Sequence, residues 1–464
     1  MKNNPLIEET PMVKIKSKFK RKEQSHTTSS KAVAHIIGMN EAIPICAEAC
    51  ACCWDRPVPI KYEAKATYVA KRARIGHTSV LEHSNYVVYV SVDASLEEEL
   101  IEFLDWCHYV NTKAVKSSDG SRWHLIVGGS FRAFSDIYRE TDDLNNTVLK
   151  AITGNLYTYA NSAAFEDICE LKLLDRSMFN NIIEPDENCC LLTDMNAKGF
   201  ETDRFKIIGV DSIEKLYNNL YRVDEDAASK ITTYDLIKFV SVTILFKNMS
   251  RIITQQLVRH RNGITQESQR YVDYSGACFN SPDLFRPDKY DPDHKYNIEF
   301  GDSKFDLTLS ELGDALCGIY SNLTDPNKVG VENTLLKEDA RGYLPLNVQS
   351  RKVFMTFTYK SLFKFLDLRE DQSAQAEIRS YAQEIGNVFR ENTKFNTKEI
   401  MNLYTQPRLL VSDPFSIDID MGESEEVVEL TENDYIAAAG LDVNDGSSEE
   451  VISDYSNLKN GDEV

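Results

Sequence analysis

The strongest constraint on how this chain can fold is a pair of short apolar runs far apart in sequence. NYVVYVSV (85–92) and KFVSVTILF (238–246) combine β-branched and aromatic residues, the composition that packs on a pleated surface, and each reads as a strand. Helical signals surround them. Residues 60–76 carry Ala, Lys and Arg at helical spacing and stop at Gly76, a residue that tolerates the left-handed geometry of a helix end. Ser250 is an N-cap candidate for a helix running from Arg251 to about His260. Further on, Leu362, Phe365, Leu366, Ile378, Tyr381, Ala382, Ile385, Val388 and Phe389 recur at helical period and give a long tract one apolar face. No apolar run approaches the roughly 18–20 residues that a membrane-spanning helix needs, so a soluble chain with no membrane partner is expected.

The 464 residues suffice for roughly three domains, or for one domain with large insertions. The stretch 94–233 separates the two strand runs and has scattered charges, a WHLIVGGSFRAF segment and an acidic loop around Glu184 to Asn188. It reads as an insertion with helices of its own, because a structureless loop of that length is improbable in a compact protein. The net charge of -21 is unevenly spread: 416–464 carries -14, residues 1–31 carry +5, and 32–415 carries the remaining -12. The first segment reads as an acidic tail and the second as a flexible basic arm. An acidic body argues against general nucleic-acid binding, which needs a phosphate-neutralising surface. Residues 1–31 have no apolar core of a secretory leader, and ten cysteines without one point to reduced thiols and a cytoplasmic location. Cys46, Cys50, Cys52 and Cys53 fit neither zinc-knuckle nor ferredoxin spacing; they read as small residues that let a helix pack closely, and no metal is expected.

The densest chemical signal is QQLVRHRNGITQESQRY. Arg259, His260, Arg261, Gln266, Glu267, Ser268, Gln269, Arg270 and Tyr271 crowd donors into thirteen residues. Guanidinium forks bind phosphate bidentately, and amides and hydroxyls suit the edges of carbonyl-rich rings. Asn262-Gly263 supplies turn chemistry between the two halves.

This run resembles the signature of the flavin-dependent thymidylate synthases (the ThyX family), with one residue fewer between the RHR and the serine of QESQRY than the family usually has. The deletion is placed at the Asn262 to Thr265 turn. Two other segments resemble the family in the expected order. GHTSVLEH (Gly76 to His83) has Val80 where the family has proline. ARGYLPLN (Ala340 to Asn347) and SLFKFLDLREDQSAQAEIRSYA (Ser361 to Ala382) resemble its closing segments. The resemblance covers 32–93 and 234–395, and divides the chain into an arm (1–31), a split catalytic domain (32–93 and 234–415), the insertion (94–233) and a tail (416–464).

The resemblance implies an α/β (α+β) fold, a central mostly antiparallel sheet flanked by helices, enlarged by a mostly helical insertion and assembled as a homotetramer. It implies reductive methylation of dUMP to dTMP, with FAD as cofactor and NADPH and 5,10-methylenetetrahydrofolate as co-substrates. Residue by residue, it implies dUMP binding by Gln256, Arg259, Gln266, Glu267, Ser268, Gln269, Arg270 and Arg341. Arg369 matches the arginine at the uracil edge that favours ionised N3, the implied catalytic residue. FAD contacts fall on His77, Ser79, Glu82, Arg259, His260, Arg261 and Gln266. Thr358, Lys360 and Lys364 stand where the family's flavin-contacting helix commonly has Asn, Arg, and Asn or His. A relative that hydroxymethylates a pyrimidine nucleotide and a non-catalytic nucleotide-binding homologue are the alternatives.

Overall fold

The computed structural model describes residues 31–140, 146–160, 191–193 and 199–391. The basic arm up to residue 30, the acidic tail and the Glu184 to Asn188 loop lie outside the described residues. Two four-stranded sheets, both antiparallel throughout, organise the rest. The first has the order β1 (Ala32–Met39), β2 (Tyr86–Asp93), β4 (Arg122–Gly129), β3 (Asn111–Lys116). The second has the order β5 (Phe205–Val210), β6 (Ser241–Ser250), β10 (Gln349–Thr358), β7 (Gly263–Gln266). A separate hairpin pairs β8 (Tyr296–Phe300) with β9 (Ser303–Leu307) and is followed by helix α8 (Leu309–Leu323).

Both apolar runs form strands, because each can bury two faces. Along β2, Val88, Val90 and Val92 join a core with α1 (Ala42–Trp54) and α2 (Tyr62–Arg74), while Val87 and Tyr89 point into a second core. That second core also receives Val242, Ile244 and Phe246 of β6 and Val353, Met355 and Phe357 of β10. The long apolar tract closes it, but as two helices, α9 (Tyr359–Glu370) and α10 (Ala376–Glu391). Asp371 is extended, and its carboxylate accepts from the Ser373 N–H at 2.8 Å, a local bond that competes with helix continuation. The cysteine-rich segment is helix α1, with Cys46, Cys50 and Cys52 buried; desolvation pushes the Cys50 thiol up to about 12.

The stretch 94–233 contains more than the helices expected of it. It supplies helices α3 (Glu97–Asp105), α4 (Phe131–Glu140), α5 (Thr147–Ala160) and α6 (Ile213–Val223), but also strands β3, β4 and β5. Those strands complete both sheets. Without β4 and β5, β2 and β6 would each show an open edge of unpaired backbone groups, so this segment is built into the sheets as well as supplying helices. The glycines of WHLIVGGSFRAF have a packing role here: a Cβ on Gly128 would come within 2.6 Å of the Phe239 ring.

Ser250 ends β6 and caps α7 (Arg251–Leu257), its hydroxyl accepting from the Ile253 N–H. The same residue is tied to buried Glu377 on α10: its N–H donates to Oε1 at 2.8 Å and its hydroxyl to Oε2 at 2.6 Å. Asn280 Nδ2 donates to Oε1 as well, at 2.8 Å. Glu377→Ala leaves these donors buried without an acceptor and is expected to lower stability by roughly 2–3 kcal/mol in denaturant unfolding. An unchanged midpoint would show that the site helix is anchored elsewhere.

Candidate active site

Residues Thr78–His83 form a short 3-10 helix, and its last side chain is a fully buried histidine. His83 Nδ1 lies 2.9 Å from the Thr356 hydroxyl and Nε2 2.9 Å from the Thr265 hydroxyl. Thr356 is bonded in turn to Thr243 at 2.9 Å. A neutral imidazole offers one donor and one acceptor, and hydroxyls can answer either. Burial holds the His83 pKa down at about 3. The imidazole therefore clamps the 78–83 segment to β7 and β10. Alongside it, Gly263 allows backbone contact that a side chain would block: a Cβ there would lie 2.7 Å from the Glu82 carbonyl oxygen.

The RHR run ends α7 in a 3-10 turn, with Arg261 in the left-handed region at φ 51°. Arg369, in the last turn of α9, reaches across to it. Its Nε donates to His260 Nε2 at 3.1 Å and its Nη1 to Gln256 Oε1 at 3.4 Å. Burial, with Arg369 and Lys364 adding to it, holds the His260 pKa down at about 4. His260 is therefore neutral near pH 7 and accepts through Nε2. Arg259 lies close enough to add its charge to that around Arg369.

A second group of cations gathers at the other end of α7. Arg251 donates to Gln266 Oε1 at 3.0 Å and feels the charge of Arg341. Arg341 Nε donates to the Glu338 carbonyl at 3.0 Å, and Arg270 Nε to the Glu338 carboxylate at 3.1 Å. Of these three guanidiniums only Arg270 is paired with the Glu338 carboxylate, so the group has donors suited to an anion. Ser268 is half-buried, its N–H bonded to the Cys53 carbonyl at 3.0 Å.

A cavity of about 760 Å³ opens beside the 78–83 segment, and its lining includes Glu82, Arg132, Asp136, Arg261, Asn262 and Thr358. Arg132 Nη1 donates to Glu82 Oε1. Thr358 also caps α9, its hydroxyl accepting from the Ser361 N–H at 3.1 Å. Among the described residues no cluster of three or more His, Cys, Asp or Glu side chains could hold a metal ion, and no helix is long and apolar enough to cross a membrane.

Comparison with known proteins bears on this geometry. The family model described as thymidylate synthase complementing protein matches residues 201–393. A flavin-dependent thymidylate synthase from Nitratidesulfovibrio vulgaris is 32% identical over 156 residues, 33% of this chain and 58% of that protein. One from Geobacter sulfurreducens is 30% identical over 180 residues, 38% of this chain and 69% of that protein. The chain belongs to the flavin-dependent thymidylate synthase family. It spans 58% of the length of the first relative, less than two thirds. A crystal structure of the Helicobacter pylori flavin-dependent thymidylate synthase complexed with FAD and dUMP is 17% identical, covering 40% of this chain and 83% of that one, with a TM-score of 0.25.

With the flavin-dependent thymidylate synthase family in view, the expected residues fall into separate groups. Gln256, His260 and Arg369 are joined by hydrogen bonds, with Arg259 and Lys364 near. Gln266, Arg270 and Arg341 belong to the group around Arg251 and Glu338. Glu82, Arg261 and Thr358 share the cavity. His77 instead lies edge-on to Trp54 at 5.2 Å, and Trp54 stacks on Tyr271 at 4.2 Å. Ser79, Gln269 and Lys360 are half-buried. Glu267 differs most from its expected place at the nucleotide: it is fully buried, and Arg351 donates to its Oε1 through Nε and Nη2, both at 3.2 Å. Alternation along β7 and just beyond it turns Glu267 inward, whereas its neighbour Gln266 meets Arg251.

Arg251 and Arg132 were not among the expected residues. Arg251 was legible only as the first residue after a cap, and Arg132 sits in a segment that the family resemblance does not cover. The buried His83 also predicts a pH effect. Its folded-state pKa is depressed, so its contribution is present above about 6.5 and is lost as pH falls toward about 3. Thermal unfolding of the unaltered protein should weaken through that window. His83→Gln should be less stable near neutrality with a flatter pH dependence, and an equally steep profile in the variant would assign the loss to other groups.

Proposed function

We propose that this protein is a thymidylate synthase that converts dUMP to dTMP, with FAD as its cofactor and NADPH and 5,10-methylenetetrahydrofolate as co-substrates, working as a homotetramer. The observation that carries the reading is the bonding of Arg369 to both His260 and Gln256, which joins the closing helix to the RHR run. Its support is the family membership together with the chemistry of the surrounding groups.

In this reading Arg251, Arg270 and Arg341 hold the nucleotide phosphate through charge-assisted hydrogen bonds. Arg369 remains charged although burial and Arg259 lower its pKa, and a guanidinium at the uracil edge stabilises negative charge on the ring. Neutral His260 serves as the acceptor that orients Arg369. The cavity suits a flavin nucleotide: its volume is in the usual range for ligand sites, Arg261 and Asn262 offer donors to phosphate oxygens, and Glu82 offers acceptors to hydroxyl or amino groups. Bound FAD supplies redox chemistry that no side chain here can supply, and the protein contributes binding, orientation and electrostatics.

Incubation of the purified full chain with dUMP, methylenetetrahydrofolate, NADPH and FAD should yield dTMP. A hydroxymethylated nucleotide, or no product from protein that binds dUMP, would overturn the reading. Arg369→Ala should lower turnover by roughly a hundredfold or more with the fold retained by circular dichroism, since a charged donor aimed at developing charge is removed. Arg251→Ala should weaken dUMP binding by about tenfold in calorimetry, the loss of one charge-assisted contact. Equal affinity would remove Arg251 from the phosphate group.

A further inference from the structure

One wall of the cavity comes from outside the matched part of the chain. Arg132 and Asp136 stand on α4, which directly follows Gly128, Gly129 and Ser130 at the end of β4, whereas the family model matches residues 201–393. Helix α4 is fastened to the same 3-10 segment that carries Glu82. The Phe131 N–H donates to the Ser84 hydroxyl at 2.8 Å, and that hydroxyl donates to the Leu81 carbonyl at 2.6 Å. From this fixed base, Arg132 Nη1 donates to Glu82 Oε1, and Arg132 Nε lies 3.6 Å from Asp136 Oδ2.

We propose that Arg132 is a positioning residue of the cofactor cavity, holding the Glu82 carboxylate so that it accepts a hydrogen bond from a ribose hydroxyl or an amino group of a flavin nucleotide. The inference rests on the reading of the cavity as a flavin site and adds to it a residue from the β3–β4–α4 segment. A carboxylate accepts at both oxygens only while ionised. Burial raises the Glu82 pKa and Asp136 pushes it the same way, while the charge and hydrogen bond of Arg132 oppose both. Arg261 is the other guanidinium of the lining, carried by the left-handed turn before β7. Arg132 therefore does two things for Glu82: it fixes the direction of one oxygen and opposes protonation of the group.

The test is titration of the full chain with FAD, followed by flavin fluorescence from neutral to acidic pH. Arg132→Gln should bind FAD about ten- to a hundredfold more weakly near neutrality, as expected for one lost charge-assisted hydrogen bond. The pH at which affinity falls should also move upward, because Glu82 then protonates more readily. Arg132→Lys should recover much of the affinity, and Glu82→Gln should bind weakly with little pH dependence over the same range. Circular dichroism and thermal unfolding identify any variant that fails to fold, and the lysine variant then carries the test. If the unaltered protein binds FAD and Arg132→Gln matches it in affinity and pH profile, this inference is overturned alone. If the unaltered protein binds no FAD, the flavin reading of the cavity falls and takes this inference with it.

Discussion

The site depends on one buried imidazole. His83 joins a 3-10 turn to two strands through Thr265 and Thr356, and both threonines would have to find new partners if it moved. The clamp places the Glu82 carbonyl against Gly263 and so fixes the turn that carries Arg261. It also fixes Ser84, whose hydroxyl receives the first N–H of α4. A neutral histidine suits this place because it matches two hydroxyls while adding no charge to a dry interior.

Charge is distributed quite differently across the chain and across the site. The sequence is strongly acidic overall, yet Arg251, Arg270 and Arg341 gather at one end of α7, and Arg259, Lys364 and Arg369 gather around His260 at the other. Burial, with the neighbouring cations adding to it, holds His260 neutral, and the cost of crowding those cations is what an anionic ligand relieves. Glu267 marks the opposite case. It belongs to the same motif, but lies in the interior with Arg351 as its partner, where it supports the motif from behind.

Much of this was legible in the residues. β2 and β6 were visible from their branched and aromatic content, with β6 running on to Ser250, and the Ser250 cap was visible from its place before an apolar period. The helices α9 and α10 were visible as one tract, because apolar residues at helical spacing occur on both sides of the break at Asp371. The strands β3, β4 and β5 were less visible. Scattered charges obscure alternation in β3, and what makes it a strand is the edge of β4 waiting beside it.

The sequence by itself determined the family of the chain and the chemical types gathered in its motifs, because spacing within QESQRY, GHTSVLEH and ARGYLPLN is local information that composition does not blur. Only the tertiary structure decided which of those side chains face one another. Gln266 and Glu267 are adjacent in the chain, yet one meets Arg251 and the other is buried, since successive residues leave an extended strand on opposite sides. Arg132 and Glu82 are fifty positions apart and meet because β2 and β4 are neighbours in one sheet. Such pairings depend on sheet order, and sheet order is set by burial summed over the whole core rather than by any local run of residues.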